Sequence, residues 1–152
     1  MPSKNSERAV QLYNSGHLCS QAILKTYADR CGISAEQAMR LGSGFGTGMK
    51  KGEVCGACTG ALMVLGLLFG QTDPVKPDQR KDIYALSDRF MSAFSARCGS
   101  YICNEILKCD VSTAEGQQYA RDNHLFTEVC PEMVMHAAEV LDEILDSIPR
   151  NM

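Results

Sequence analysis

A run of uncharged residues from position 54 to position 72, VCGACTGALMVLGLLFGQT, most constrains what this chain can fold into. Its length approaches the roughly 20 residues that a membrane-spanning helix needs. However, it contains two cysteines and four glycines, and it lacks flanking aromatic anchors and a basic cluster. We therefore interpret residues 55–70 as a glycine-rich helix buried at the centre of the fold, and we predict no membrane span.

The rest of the chain has the pattern of helices separated by glycine and proline. Apolar residues recur at helical spacing in four segments, and no segment alternates as a β-strand does. These are residues 6–15, 19–31, 83–94 and 130–148. Ser34 with Gln37, and Ser112 with Glu115, have the spacing of capping boxes that begin further helices. The pattern predicts an all-α, compact multi-helix bundle that forms one domain over residues 1–152.

Cysteine is the residue type whose frequency is unusual, with eight in 152 residues. The N-terminal segment MPSKNSERAV lacks the apolar stretch of a secretory signal, so we expect a cytoplasmic protein whose thiols stay reduced. In such a protein, many cysteines indicate metal binding or redox chemistry more often than disulfides. The net charge of −3 and the lack of a basic stripe argue against nucleic acid as a partner.

A glycine-rich segment over residues 42–52, GSGFGTGMKKG, comes shortly before the uncharged run. It has neither the spacing of a Walker phosphate-binding loop nor that of G-x-G-x-x-G, and no strand precedes it. The pattern predicts a tight loop that leads into the next helix. The alternative is a cradle of backbone N–H groups around a buried cofactor.

Four of the eight cysteines fall at or near predicted helix starts. These are Cys19, Cys55, Cys103 and Cys130. A helix N-terminus stabilises a thiolate and is expected to lower its pKa, and the thiolate is the form that binds metals and attacks disulfides. The other four are most simply small apolar residues. These are Cys31, Cys58, Cys98 and Cys109.

Cys55 and Cys58 also form a C-x-x-C motif. A thioredoxin-like site would need a βαβ unit around it, and a zinc ribbon would need a second C-x-x-C pair. The sequence shows neither, so the motif alone does not separate a redox dithiol from a metal site.

Four segments, spanning about residues 18–140, resemble a known family. They are LCSQAIL, GFGTGMKKGEVCGACTGALMVLGL, FSARCGSYICNEIL and VCPEMVMHAAEVL. They resemble the C_GCAxxG_C_C family of redox-active proteins, which is itself similar to the carboxy-terminal part of split-Soret cytochromes, where an iron–sulfur centre has been proposed. The resemblance implies that Cys19, Cys55, Cys103 and Cys130 are the four family cysteines. The chain has no C-x-x-C-H, so a covalently attached haem is not implied.

Three functions remain open. The leading hypothesis is a redox-active protein for electron transfer or redox sensing, with an iron–sulfur cluster of the [2Fe–2S] type on the four family cysteines. The second is a cofactor-free thiol–disulfide oxidoreductase in which Cys55 is the reactive thiolate and Cys58 or a family cysteine resolves the mixed disulfide. The third is a zinc site on the same four thiolates. The redox partner stays unidentified, and a cluster sealed between helices would favour a homo-oligomer through the glycine-lined helix.

Overall fold

The computed structural model describes residues 3–149, and within this range the chain forms ten α-helices and no β-strand. The all-α prediction is therefore confirmed. In chain order the helices are α1 (Lys4–Asn14), α2 (Cys19–Thr26), α3 (Ala28–Cys31), α4 (Ala35–Gly42), α5 (Gly56–Phe69), α6 (Pro77–Cys98), α7 (Cys103–Leu107), α8 (Ala114–Asp122), α9 (Leu125–Glu128) and α10 (Cys130–Ser147).

Helices α2, α5 and α10 contact one another and carry most of the core. The last helix also packs against α1 and α6, while α5 also packs against α6 and α3. Most of the largest fully buried side chains come from these elements, and the Phe90 and Phe94 rings of α6 stack with centroids 6.0 Å apart. The cluster of buried apolar residues runs continuously through this group of helices. It holds the starts of α2, α5 and α10 in fixed positions relative to one another.

The uncharged run forms α5, whose first half is buried and whose second half is partly exposed. Its buried residues run from Gly56 to Leu65, whereas Leu67 is 43 % exposed. Gly60 faces α2, and a Cβ atom there would lie 3.0 Å from the carbonyl oxygen of Ser20. The glycine therefore lets the two helices approach closely. No helix in residues 3–149 is long and apolar enough to cross a membrane.

Two of the differences from the predicted helices have a clear physical reason. The predicted helix over residues 19–31 is divided at Tyr27, whose φ of −101° and ψ of 7° interrupt it between α2 and α3. The Tyr27 side chain is buried against α10, and this long-range contact outweighs the local helical preference.

The second difference concerns a helix cap. The predicted capping box at Ser112 does not form, because the Ser112 hydroxyl donates to the Asp110 carboxylate. Thr113 caps α8 instead and accepts from the Gly116 N–H at 3.0 Å. The box at Ser34 forms as predicted, with the Gln37 N–H donating to the Ser34 hydroxyl at 3.0 Å. Serine and threonine at adjacent positions compete for the same cap, so the spacing alone did not identify the capping residue.

Replacement of Tyr27 by phenylalanine is expected to lower the free energy of unfolding by about 1–2 kcal/mol. The buried hydroxyl lies 2.8 Å from the Asp142 carboxylate and 3.0 Å from the Ala138 carbonyl oxygen, and phenylalanine would leave these acceptors with one donor fewer. Urea denaturation measures the effect. Tyr84→Phe is the matched control, because Tyr84 is 68 % exposed and should change stability by less than about 0.5 kcal/mol. Equal effects at both positions would contradict the prediction.

Candidate functional site

A short antiparallel bridge brings two distant helix starts together. Val54, just before α5, pairs with Ile102, just before α7. The Cys55 N–H donates to the Tyr101 carbonyl oxygen at 2.8 Å, and the Cys103 N–H donates to the Glu53 carbonyl oxygen at 2.6 Å. These bonds hold the first residues of α5 and α7 side by side, so two of the predicted site cysteines become neighbours.

The four cysteines predicted at helix starts line one cavity with a volume of about 450 Å³. Cys19, Cys103 and Cys130 are the first residues of α2, α7 and α10, and Cys55 immediately precedes α5. The other four cysteines do not line the cavity, and all eight are free thiols. The fold thus separates the four cysteines at helix starts, which line the cavity, from the other four, which do not.

The thiols of the cavity lie close to one another and to one tyrosine. The Cys55 thiol interacts with the thiols of both Cys19 and Cys58. Cys103 and Cys130 are near enough for their charges to interact. The Tyr13 hydroxyl donates to the Phe126 carbonyl oxygen at 2.7 Å and also contacts the Cys130 thiol. The four thiols are therefore linked by pairwise interactions, which also include Tyr13 through Cys130 and Cys58 through Cys55.

Burial reverses the pKa effect predicted for the helix starts. Burial, with the neighbouring Cys130 and Cys19, raises the pKa of Cys103 to about 12, and burial raises that of Cys130 to about 11 despite the Tyr13 hydroxyl. The adjacent Cys55 thiol and burial hold the pKa of Cys19 well above its ordinary value. The helix N-termini do not outweigh the loss of water around these sulfurs.

Cys55 shares this behaviour, although its neighbours act in opposite directions. The Cys19 thiol lowers the pKa of Cys55, but the Cys58 thiol and burial outweigh that effect and hold it well above the ordinary value. The prediction of thiolates with lowered pKa values at helix starts is therefore wrong. Cys55 does not have the surroundings of a reactive thiolate, which needs an electropositive and accessible site.

The glycine-rich segment forms a left-handed turn at the edge of the cavity. Thr47, Gly48, Met49 and Lys50 have consecutive φ angles of 51°, 59°, 59° and 59°. Left-handed helical geometry costs about 1–2 kcal/mol for each residue that carries a Cβ atom, so this turn is strained. At Gly48 a Cβ atom would also lie 2.9 Å from the Glu53 carbonyl oxygen, so the position requires glycine. Such strain concentrates at functional sites.

This turn and two helix starts direct backbone N–H groups at the cysteine sulfurs. The N–H groups of Ser20 and Thr47 face the sulfur of Cys19, and the N–H of Ala57 faces the sulfur of Cys55. The sequence left two alternatives open for this segment, a tight loop and a cradle of backbone N–H groups, and both are partly present. The segment is a tight turn, and one of its N–H groups reaches a cavity thiol.

The free energy of unfolding of the reduced, chelator-treated protein is expected to fall as the pH rises above about 8.5. An unfolded cysteine has a pKa near 8.5, whereas Cys130 and Cys103 have values of about 11 and about 12 in the fold. A raised thiol pKa stabilises the fold below the unfolded value, and this stabilisation disappears as the pH rises towards the folded value. Urea denaturation at pH 7.5 and 10 measures the loss. The variant Cys103→Ser should show a smaller loss, and an identical loss would contradict this assignment.

Comparison with protein-family models adds a finding that covers most of the chain. A family model described as "Putative redox-active protein (C_GCAxxG_C_C)" matches residues 17–144. The match contains the left-handed turn, the Val54–Ile102 bridge and the four cysteines of the cavity. No curated protein and no solved structure matches the chain. Because the family model covers well over half of the sequence, this chain belongs to the C_GCAxxG_C_C family of redox-active proteins.

Proposed function

We propose that an iron–sulfur cluster of the [2Fe–2S] type, held in the cavity, serves electron transfer or redox sensing. Its ligands would be the thiolates of Cys19, Cys55, Cys103 and Cys130. The observation that carries the proposal is their convergence: four thiols from four separate helix starts line one cavity, and the four other cysteines do not. Four cysteine thiolates are the ligand set that such a cluster requires.

The raised pKa values favour a metal-bound group over a free reactive thiolate. Ionising several neighbouring thiols in a site where Cys55 and Cys103 are each only 7 % exposed is unfavourable, because water cannot stabilise the charges. A bound metal ion supplies the opposing positive charge and deprotonates a coordinating thiol outright. Thiol–disulfide exchange, by contrast, requires the thiolate without such help. The same burial therefore supports metal binding and disfavours the dithiol mechanism at Cys55 and Cys58.

A cluster and a single zinc ion place different demands on the four thiols. A structural zinc ion takes four ligands, with its sulfurs about 2.3 Å from one point. In residues 3–149, no three side chains of the Cys, His, Asp and Glu types are grouped closely enough to hold one ion. A [2Fe–2S] cluster with four cysteine ligands needs only two thiolates at each iron, so its ligands lie around a larger group. Four thiols that line one cavity from four helix starts are compatible with this requirement.

The backbone N–H groups have a defined role in this proposal. Hydrogen bonds to ligand sulfurs withdraw negative charge and raise the reduction potential of an iron–sulfur cluster. The N–H groups of Thr47 and Ser20 at Cys19, and of Ala57 at Cys55, are in position to do this. When bound, the cluster would supply one-electron chemistry, while the chain would hold the cluster, shield it from water and tune its potential.

Anaerobic purification followed by iron, zinc and acid-labile sulfide analysis tests the proposal. We expect visible absorption bands and equal amounts of iron and sulfide, as a [2Fe–2S] cluster contains. Zinc without sulfide would contradict the cluster and show that the four thiols form a zinc site. Colourless, metal-free protein that cannot be reconstituted with iron and sulfide would contradict both and return the function to thiol chemistry at Cys55.

A further inference from the structure

The cavity has a cationic mouth that the four thiols do not explain. Lys50, on the left-handed turn, and Arg121, on α8, both line it and are both exposed. No aspartate or glutamate is among the residues that line the cavity, although the whole chain carries a net charge of −3. The mouth is therefore a positively charged opening on a protein that is negative overall.

Neither cation is neutralised by a carboxylate in the described part of the chain. The ion pairs found there join Arg40 to Glu36, and Arg97 to Glu139 and Glu143 of α10, and none includes Lys50 or Arg121. The Arg121 guanidinium donates only to the Gln118 side-chain oxygen, at 3.3 Å. Five N–H donors on a planar group leave Arg121 with donors available to a ligand.

His17 lines the same cavity but differs from the two cations. Its Nε2 lies 3.2 Å from the Lys25 ammonium, which can only donate, and its Nδ1 lies 3.1 Å from the Ser15 hydroxyl. Both ring nitrogens are therefore already used within the protein. This leaves Lys50 and Arg121 as the charged groups at the mouth that are available to bind a ligand.

Apart from the thiols and the two cations, much of the cavity wall is apolar. It includes Leu18, Ile106, Leu107, Phe126 and Met133. A small-molecule site typically has a volume of about 300–1,000 Å³, apolar walls and a few polar groups that fix orientation. An inorganic ion would leave such walls without contacts, whereas an organic molecule would cover them.

We propose that this cavity binds a small organic carboxylate, with its charged group at Arg121 and Lys50 and its apolar body directed towards the thiols. An arginine fork binds carboxylate with two parallel hydrogen bonds, and the lysine adds a second positive charge. The role of this molecule as a redox substrate rests on the proposed cluster, but its binding does not. The negative charge of cluster thiolates would also favour the orientation that keeps the carboxylate at the mouth.

Isothermal titration calorimetry of the full chain, purified anaerobically, tests the proposal with benzoate as the probe. Benzamide has the same shape without the charge, and phosphate has charge without the apolar body. We expect benzoate to bind one molecule per chain, and both comparison probes to bind at least about tenfold more weakly. Arg121→Gln and Lys50→Gln should each weaken benzoate binding by about tenfold.

Lys51→Gln is the matched control, because it removes the same charge next to Lys50 at a residue that does not line the cavity. Equal binding of benzoate and benzamide, or equal loss of affinity in Lys51→Gln and Lys50→Gln, would overturn the proposal, as would tight binding of phosphate. Iron and sulfide analysis of the same samples separates the two proposals. If the protein contains the cluster but does not bind benzoate, only the proposed carboxylate site is wrong. If benzoate binding depends on Arg121 but the protein contains no iron, only the proposed cluster is wrong.

Discussion

Serine at Cys55 or at Cys130 is expected to abolish incorporation of the iron–sulfur cluster, while serine at Cys31 leaves it intact. Cys55 and Cys130 line the cavity from opposite parts of the chain, and each would supply one of four ligands. A hydroxyl is a much harder and more weakly acidic ligand than a thiol, so it replaces a thiolate in an iron–sulfur cluster poorly. Cys31 is half-buried on α3, outside the cavity. Iron and sulfide per chain, and the visible spectrum, measure the effect.

Cys58 gives the sharper comparison, because it interacts with Cys55 but does not line the cavity. If Cys55 is a cluster ligand, Cys58→Ala should keep the iron and sulfide. If Cys55 instead attacks disulfides and Cys58 resolves them, Cys58→Ala should trap a mixed disulfide between Cys55 and one half of a small disulfide substrate, whose other half leaves as a thiolate. Retention of the cofactor in all eight single cysteine variants would show that the ligand assignment is wrong.

The sequence predicted several helix starts correctly because their signals are local. The Ser34 capping box and the start of α10 at Cys130 depend on residues within one helical turn, and the structure has both. The convergence of Cys55 and Cys103, however, depends on the bridge between Val54 and Ile102. A single pair of backbone segments that are distant in sequence leaves no periodic pattern, so it could not be predicted from residue spacing.

Two features of the site opposed local rules and were therefore missed or mispredicted. Thr47, Met49 and Lys50 adopt left-handed angles that residues with a Cβ atom normally avoid, so the segment could be predicted as a loop but not as this turn. The direction of the thiol pKa shifts depends on how much water the fold removes, whereas the sequence shows only the helix dipole. The sequence likewise did not indicate a role for Lys50 and Arg121, because only the fold brings them to the same cavity.

A methyl group added at Gly56 is expected to disturb the site, and the same group added at Gly66 is expected to stabilise the protein. At Gly56 a Cβ atom would overlap the sulfur of Cys19 and lie 2.8 Å from the carbonyl oxygen of Phe45. Because a backbone oxygen cannot move aside easily, we expect Gly56→Ala to cost about 1–3 kcal/mol of unfolding free energy. It should also displace the Cys19 thiol and reduce the iron bound per chain.

At Gly66, in the same helix, a Cβ atom would have no neighbour within 4 Å. Alanine is favoured over glycine in a helix interior, so Gly66→Ala should raise the unfolding free energy by up to about 1 kcal/mol and leave the iron content unchanged. Urea denaturation and iron analysis of both variants measure the two effects together. Both substitutions add one methyl group to α5 and improve its helix propensity. Opposite signs of the change in unfolding free energy would therefore show the effect of the contact with Cys19. A loss of stability without loss of iron in Gly56→Ala would mean that Cys19 is packed in this helix interface but is not a ligand.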